Sequence, residues 1–138
     1  MSIPVAPRPF ADEAMRSWIG RVAARYDLEP EQLVWCLRGP RAEGAHYSEF
    51  HEIHWRPDAE LEYLLAQATR LDVTRIAELR IPIQGLPDPS GWHRQSRAWC
   101  PLCVNEDVRR YGETYERAVW QLGFCAVCSA RRQTLRTP

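Results

Sequence analysis

Four of the five cysteines in this 138-residue chain form two CxxC pairs, Cys100/Cys103 and Cys125/Cys128, with twenty-one residues between the pairs. Two cysteines three positions apart in one turn can bind the same ion, and two such pairs complete the tetrahedral shell that structural zinc prefers. The spacing therefore predicts a four-thiolate Zn²⁺ site. Because four thiolates leave no coordination position for water or substrate, the predicted metal stabilises the fold and performs no hydrolysis.

Other uses of these thiols stay open at this point. Four thiolates also bind iron, and spacing alone does not select the metal. Two disulfides would need an oxidising compartment, whereas the first eight residues resemble no secretory signal, which favours a cytoplasmic protein. A redox dithiol usually needs one CxxC in a βαβ unit, and no such pattern precedes the pairs. The fifth cysteine, Cys36, lies on a predicted helix, and we expect it to be a small buried residue and not a ligand.

Charge is unevenly distributed along the chain. The totals balance at eighteen basic and eighteen acidic residues, yet residues 1–91 contain ten arginines and fourteen acids, a formal charge of −4, whereas residues 92–138 contain eight arginines and four acids, or +4. Arg131, Arg132 and Arg136 follow the last cysteine pair and form a modest basic patch suited to phosphate. No run of about eighteen apolar residues occurs, so we expect a soluble protein without a membrane partner.

Helical periodicity dominates the first part of the sequence. Apolar residues recur on one face over 12–26, which predicts a helix with Asp12 as its cap, and a second helix is predicted over 30–37. A third helix begins near Asp58. Asp72 then caps a short fourth helix that carries further apolar residues.

The stretch 82–91 contains three prolines and two glycines and is the clearest linker. We therefore divide the chain into a helical, helix-turn-helix-like part (1–91) and a zinc-binding module (92–138). Within the module, the pattern predicts a short helix over 104–110 and, from alternating apolar residues, a half-buried strand over 118–124. The predicted fold class is mainly α with a small zinc-ribbon-like module.

Residues 63–79 have the layout of a helix-turn-helix unit. The first helix contains a small residue, a tight turn follows, and the second helix opens with polar residues. In a DNA reader Thr74, Arg75 and Arg80 would face the major groove or the phosphates. An ordinary helical hairpin explains the pattern as well, and neighbouring acids would repel phosphate unless they point away.

Catalytic motifs are missing from the sequence. It contains no Gly-rich phosphate loop, no GxSxG and no HExxH, and no set of carboxylates has the context of a two-metal nuclease. His46, His51 and His54 lie among acids, but without a predicted helix their spacing is typical of surface or loop histidines. We therefore expect a protein that is not an enzyme.

Three strings of residues carry a family resemblance. They are Ser17-Trp18-x-x-Arg21, Trp99-Cys100-Pro101-x-Cys103 with Glu106-Asp107, and Tyr115-x-Arg117-x-x-Trp120 ahead of Cys125. In this order they resemble the TniQ family, the target-selecting proteins of certain transposons. Members typically end the last pair in C-x-x-H, whereas this chain has Cys128 there, which replaces a nitrogen ligand by sulfur without opening the shell.

The resemblance implies a noncatalytic adaptor of DNA transposition in which helical DNA-binding or protein-docking elements are joined to a zinc ribbon. The partners it implies are a transposase, an ATPase and, in some relatives, a CRISPR effector complex on which members often dock as homodimers. Members that read a duplex sequence have a long C-terminal extension, and the short length of this chain favours recruitment of other proteins. The alternative is a small zinc-stabilised helix-turn-helix transcription regulator that reads duplex DNA.

Overall fold

The computed structural model describes residues 2–39, 58–81, 89–94 and 96–138, together with positions 53 and 56. The described residues form five α-helices: α1 Met15–Ala24, α2 Pro30–Arg38, α3 Ala59–Thr69, α4 Val73–Ala77 and α5 Pro101–Tyr111. Two 3₁₀ helices, Pro89–Trp92 and Ala118–Gln121, flank α5, and four isolated antiparallel bridges take the place of strands in these ranges. The predicted fold class, mainly helical with a cysteine-rich module, is confirmed.

Some predictions fall outside the described residues. The three histidines at 46, 51 and 54 lie there, as does most of the predicted linker at 82–91. None of the helices in the described ranges has the length and apolar character needed to span a lipid bilayer.

The first helix is amphipathic, and its inward face consists of five buried side chains: Met15, Trp18, Ile19, Val22 and Ala23. Its N-cap residue is Ala14, which makes no side-chain capping bond. The prediction that Asp12 caps this helix is therefore wrong. Asp12 instead accepts a hydrogen bond from the hydroxyl of Tyr115 at 2.9 Å, a contact over a sequence distance that local patterns do not reveal.

The second helix begins with a capping box between Glu29 and Gln32. Pro30 occupies its first position, where a residue without an N–H loses no helical hydrogen bond. Leu33 is fully buried against α1. Cys36 is exposed, contrary to our expectation, because the inward face of α2 is formed by Leu33, Val34 and Leu37, and Cys36 lies beyond the edge of that face.

The third and fourth helices form the hairpin expected from the helix-turn-helix-like pattern. Asp58 caps α3 through the N–H of Leu61 at 2.9 Å, and Asp72 caps α4 through the N–H of Thr74 at 2.8 Å. Arg70 ends α3 in the left-handed conformation, with φ of 58°. The second helix of the hairpin has only five residues, which is shorter than the predicted stretch.

Two separate apolar clusters form the interior. The larger one joins thirteen buried residues, all between positions 3 and 79: Ile3, Met15, Trp18, Ile19, Val22, Ala23, Leu33, Ile53, Leu61, Leu65, Ala68, Ile76 and Leu79. The smaller one joins six: Ala98, Cys100, Cys103, Trp120, Cys128 and Leu135. Ile81 and Leu122 pack on one another between them. The division of the chain at residue 91 stays a prediction.

The predicted strand at 118–124 is wrong. Residues Ala118–Gln121 form a 3₁₀ helix, after which Leu122 makes a single antiparallel bridge to His93. The apolar alternation spans only a few residues, and one turn of 3₁₀ helix buries Trp120 equally well. The helix predicted over 104–110 is present but begins earlier, at Pro101, and ends as predicted at Gly112, with φ of 74°.

Candidate metal centre

The first cysteine pair begins α5. Cys100 is the N-cap residue and Pro101 occupies the first helical position, which suits a residue without an N–H. The carbonyl of Cys100 accepts the first helical hydrogen bond, from Val104 at 3.0 Å. Cys103 therefore lies in the first turn of the helix, and both sulfurs belong to buried residues of one cluster.

The second cysteine pair lies in a turn that folds back on itself. The N–H of Cys128 donates to the carbonyl of Gln133 at 2.8 Å, and the N–H of Arg132 donates to the carbonyl of Cys128 at 2.7 Å. Arg132 adopts a left-handed conformation with φ of 50°, which closes the turn. The guanidinium of Arg94 donates to the carbonyl of Cys125 at 2.6 Å and so anchors the start of the same turn.

Backbone pairing between Trp99 and Arg136, at 2.9 and 2.8 Å, brings the two turns together. As a result, the sulfurs of Cys100, Cys103 and Cys128 all lie within 4.8 Å of one another, and those of Cys103 and Cys128 are 3.5 Å apart. A tetrahedral zinc ion with Zn–S bonds of about 2.3 Å holds its sulfurs about 3.8 Å apart. The three buried thiols therefore fit a single metal ion.

Cys125 lies outside this group of three. Its side chain is half-buried, packs on the same cluster and places its sulfur 3.5 Å from the carbonyl oxygen of Val127. The four-thiolate shell thus has three members in place, and the role of Cys125 as the fourth ligand stays a prediction.

The buried thiols differ in how readily they ionise. Burial, together with the hydrogen bond to Cys128, raises the pKa of Cys103 to about 12. Burial also opposes ionisation of Cys128, but backbone N–H groups of Arg131 and Ala130 stabilise its thiolate, so that its pKa is lowered on balance. Cys128 is therefore the first of this pair to lose its proton. A metal ion that binds here displaces the protons that remain.

An ion pair supports the cysteine cluster from one side. Asp107, one helical turn after Cys103, is buried and accepts two hydrogen bonds from Arg117, at 2.6 and 2.8 Å. The guanidinium of Arg117 also lies over the rings of Tyr115, at 4.2 Å, and Trp120, at 4.8 Å. Our sequence reasoning did not select Asp107 or Arg117 as site residues. The signal that could have found them was their place in the strings that carry the family resemblance.

The same segment meets the helical part at a surface that we call the junction, formed by residues 12–21 against residues 113–118. The N–H of Ala14 donates to the carbonyl of Glu116 at 2.8 Å, and the N–H of Ala118 donates to the carbonyl of Asp12 at 2.9 Å. The hydroxyl of Ser17 accepts from the N–H of Glu116 at 2.9 Å. The resemblance strings, which are far apart in sequence, therefore meet in space.

Arg21 is the charged centre of the junction. It contacts Glu13 and Glu113 at 2.8 Å each, and its guanidinium lies 4.5 Å from the centre of the Phe10 ring. Burial raises the pKa of Glu13, although Arg21 opposes that effect. Glu113 is more exposed, and the hydrogen bond from Arg21 lowers its pKa. Phe10 in turn stacks on Tyr115, with ring centres 4.1 Å apart.

Residues 4–135 match the model of the TniQ family. The chain belongs to the TniQ family. The resemblance inferred from the sequence strings is thereby confirmed, and it places the protein in a family associated with transposition. The sequence has no significant match among curated proteins.

Three of the residues predicted to touch DNA in this TniQ-family chain, those on and after α4, already form contacts within the chain. Arg75 contacts Glu78 at 2.9 Å and donates to the carbonyl of Phe10, while Arg80 contacts Glu62 at 3.0 Å. The N–H and the hydroxyl of Thr74 both donate hydrogen bonds to the carboxylate of Asp72.

The basic residues of the second cysteine turn are different. Arg131 and Arg132 are both exposed, and neither forms an ion pair with an acid of the described ranges. The two predicted groups therefore differ in that the arginines on and after α4 are paired within the chain, whereas those of the second cysteine turn are exposed.

Proposed function

We propose that this protein is a noncatalytic adaptor that selects the target site for DNA transposition, by linking target DNA or a target-bound complex to the transposition machinery. The observation that carries the proposal is the family match, which omits only three residues at each end of the chain. The partners we propose are a transposase and an ATPase, with a CRISPR effector complex as the target-bound partner. We also propose a cytoplasmic location and a homodimeric form.

The metal we propose is Zn²⁺, bound by Cys100, Cys103, Cys125 and Cys128. The support for it is a set of three buried thiols within the span of one ion and a fourth cysteine on the same turn as Cys128. Sulfur ligands in tetrahedral number are the donor set of structural zinc. With its shell filled by protein, the ion acts as a cross-link between the two turns and takes no part in bond cleavage.

A reconstituted insertion assay tests the adaptor role. Transposase, ATPase and donor DNA from the same transposon are incubated with target DNA, with and without this protein, and insertion sites are sequenced. We expect insertions to cluster at the target only when the protein is present, because selection and cutting belong to different proteins. An unchanged distribution of insertions without the protein would refute the adaptor role.

If DNA is contacted directly, we propose that Arg131 and Arg132 make the contact in preference to Thr74, Arg75 and Arg80. The support is that the guanidinium groups on and after α4 are already bonded within the chain, whereas those of the cysteine turn are exposed. A recognition helix of five residues is also short for a major-groove reader. The transcription-regulator alternative is therefore the less well supported of the two.

A salt titration separates these alternatives. A duplex reader binds DNA unaided, and the logarithm of its affinity falls linearly with the logarithm of the salt concentration. Changing Arg131 and Arg132 together to Gln should lower the slope by about 1.8, since each phosphate contact contributes about 0.9. The matched double variant, in which Arg75 and Arg80 are both changed to Gln, should leave the slope unchanged. Specific, nanomolar binding to duplex that depends on Arg75 and Arg80 would favour the regulator.

A further inference from the structure

The Asp107–Arg117 ion pair lies between the cysteine cluster and α1, although neither residue is a ligand in the proposed site. Asp107 follows Cys103 by four positions on α5, so both side chains lie on one face of the helix, and both are buried. The two hydrogen bonds from Arg117 fix that guanidinium in the plane of the carboxylate. The helical turn from Cys103 to Asp107 therefore links the position of the Cys103 sulfur to the position of the Arg117 guanidinium.

Arg117 is held from its other side by the helical part. Its two neighbours in sequence, Glu116 and Ala118, make the backbone hydrogen bonds to Ala14 and Asp12 that form the junction. Arg117 itself forms an antiparallel bridge with Glu13. A displacement of Arg117 would therefore break main-chain hydrogen bonds at the junction as well as its own ion pair.

We infer that Asp107 and Arg117 are positioning residues that couple metal binding at the cysteine cluster to the docking of α1 on residues 92–138, which we call the metal module. Metal bound by the first cysteine pair fixes the first turn of α5 and with it Asp107. Asp107 orients Arg117, which aligns residues 116–118 against residues 12–14. Coupling between two sites is reciprocal, so a change that weakens docking of α1 weakens metal binding by the same factor. This inference rests on the metal centre proposed above.

Reciprocity gives the sharpest test, because a residue of α1 that touches no cysteine should change the affinity for metal. Ser17→Ala removes the hydroxyl that accepts from the N–H of Glu116. We expect the affinity of the whole chain for Co²⁺, measured from thiolate-to-metal charge-transfer absorbance, to fall roughly three- to tenfold. Thr69→Ala is the matched control, since it removes a hydroxyl on α3 whose hydrogen bond, among the residues that the structure describes, is to the carbonyl of Leu65. It should leave the affinity unchanged.

Variants of the ion pair test the proposed route. Asp107→Asn and Arg117→Gln should each lower the affinity for Co²⁺ by about 10- to 100-fold, the usual effect of removing a residue that supports metal ligands. Arg117→Lys keeps the charge but loses the paired hydrogen bonds, so its affinity should lie between those of the wild type and Arg117→Gln. Arg80→Gln is the control, because Arg80 forms its ion pair with Glu62 on α3, outside the junction, and its loss should leave the affinity unchanged.

Amide hydrogen exchange measured by NMR reports docking directly. On removal of the metal with a chelator, the amides of Ala14 and Ala118 should exchange at least tenfold faster, while the amide of Leu33 in α2 keeps its protection. In metal-loaded Arg117→Gln the same two amides should also exchange faster. If chelation removes the protection of all amides, including that of Leu33, the comparison of metal-loaded Arg117→Gln with the metal-loaded wild type decides whether Arg117 supports docking.

Two kinds of failure are distinguishable. If the unmodified chain binds neither Co²⁺ nor Zn²⁺, the metal centre itself is refuted. If it binds metal, but Ser17→Ala and Arg117→Gln have the affinity of Thr69→Ala and the amides of Ala14 and Ala118 stay protected without metal, the coupling is refuted. Should Ser17→Ala fail to fold, Arg117→Lys takes its place in the comparison with Thr69→Ala.

Discussion

The helical part and the metal module are stabilised by different kinds of interaction. Thirteen buried residues form the larger core, all of them apolar, whereas three of the six members of the smaller core are cysteines. Apolar burial contributes about 25 cal/mol per Å² of surface removed from water, and so small a cluster provides little of it. The comparison indicates that the helical part can rely on its own packing, whereas the module depends more on the junction and on the metal ion proposed above.

The largest expected effect comes from removing a metal ligand. Cys103→Ser should abolish metal binding and unfold the module, because structural zinc contributes on the order of 10–16 kcal/mol at neutral pH. Elemental analysis and exchange of the amides in α5 measure the two consequences. Cys36→Ser changes an exposed thiol and should leave the zinc content unaltered. One zinc ion per chain in the Cys103 variant would contradict the assignment of this ligand.

A cavity in the helical core should have the next largest effect. Leu65→Ala should lower the free energy of unfolding by about 2–5 kcal/mol, the usual range for a fully buried leucine, without releasing zinc when the metal is in excess. Urea denaturation with and without added zinc measures both points. Tyr63→Ala is the control on the same helix, since its side chain is 55% exposed. Equal costs for the two variants would show that α3 is not packed as described.

Two glycines that end helices allow a closer comparison of the two regions. Gly39 ends α2 with φ of 75° and ψ of −177°, a conformation almost confined to glycine, and Gly112 ends α5 with φ of 74° and ψ of 0°. A Cβ atom at either position would meet no atom within 4 Å, so the cost of alanine is purely conformational.

We therefore expect Gly39→Ala to cost about 1–3 kcal/mol and Gly112→Ala about 1–2 kcal/mol of unfolding free energy. Only Gly112→Ala should also weaken metal binding, because α5 carries Cys103. Thermal unfolding of the two variants, combined with Co²⁺ titration, checks this difference. Equal loss of metal affinity in both variants would remove the distinction between the regions.

The smallest effect concerns the acid that links the two regions. The hydrogen bond from Arg21 lowers the pKa of Glu113 below its ordinary value of 4.5, so its contribution to stability is complete well above pH 4.5 and is lost as the pH falls through the folded-state pKa. Glu113→Gln should cost about 0.5–1 kcal/mol at pH 7, allowing for partial exposure.

The difference between wild type and Glu113→Gln should shrink below about pH 4.5, as measured by urea midpoints across a pH series. Glu106→Gln, an exposed acid on α5, is the control. A difference that grows towards acid pH would mean that Glu113 destabilises the junction.

Local chemistry made the helices and the first cysteine turn predictable. A proline at the first position marks the start of α2, and an aspartate at the cap marks the starts of α3 and α4, so neighbouring residues alone predict where these helices begin. The start of α5 at Pro101 follows from the same rule, three residues before the predicted start at position 104. The paired spacing also predicted that Cys100 and Cys103 would meet Cys128, since metal ligands must converge.

Long-range contacts made the remainder unpredictable. Asp12 was expected to cap α1, but its partner is Tyr115, more than a hundred residues away in sequence. Within the described part of the chain, residues 118–124 have no partner strand that would favour an extended conformation over a 3₁₀ turn. The junction likewise depends on hydrogen bonds between distant segments, which only the family strings marked in advance.

The two cores also give the protein a pair of natural optical reporters. Trp18 is fully buried in the larger core, with its indole N–H bonded to the carbonyl of Pro7, and Trp120 is buried in the smaller core, 4.8 Å from the guanidinium of Arg117. Indole emission depends on the polarity and charge around the ring. The chain has six tryptophans, so replacing the other five by phenylalanine would let the fluorescence of Trp18 or of Trp120 follow a single region as metal is added or removed.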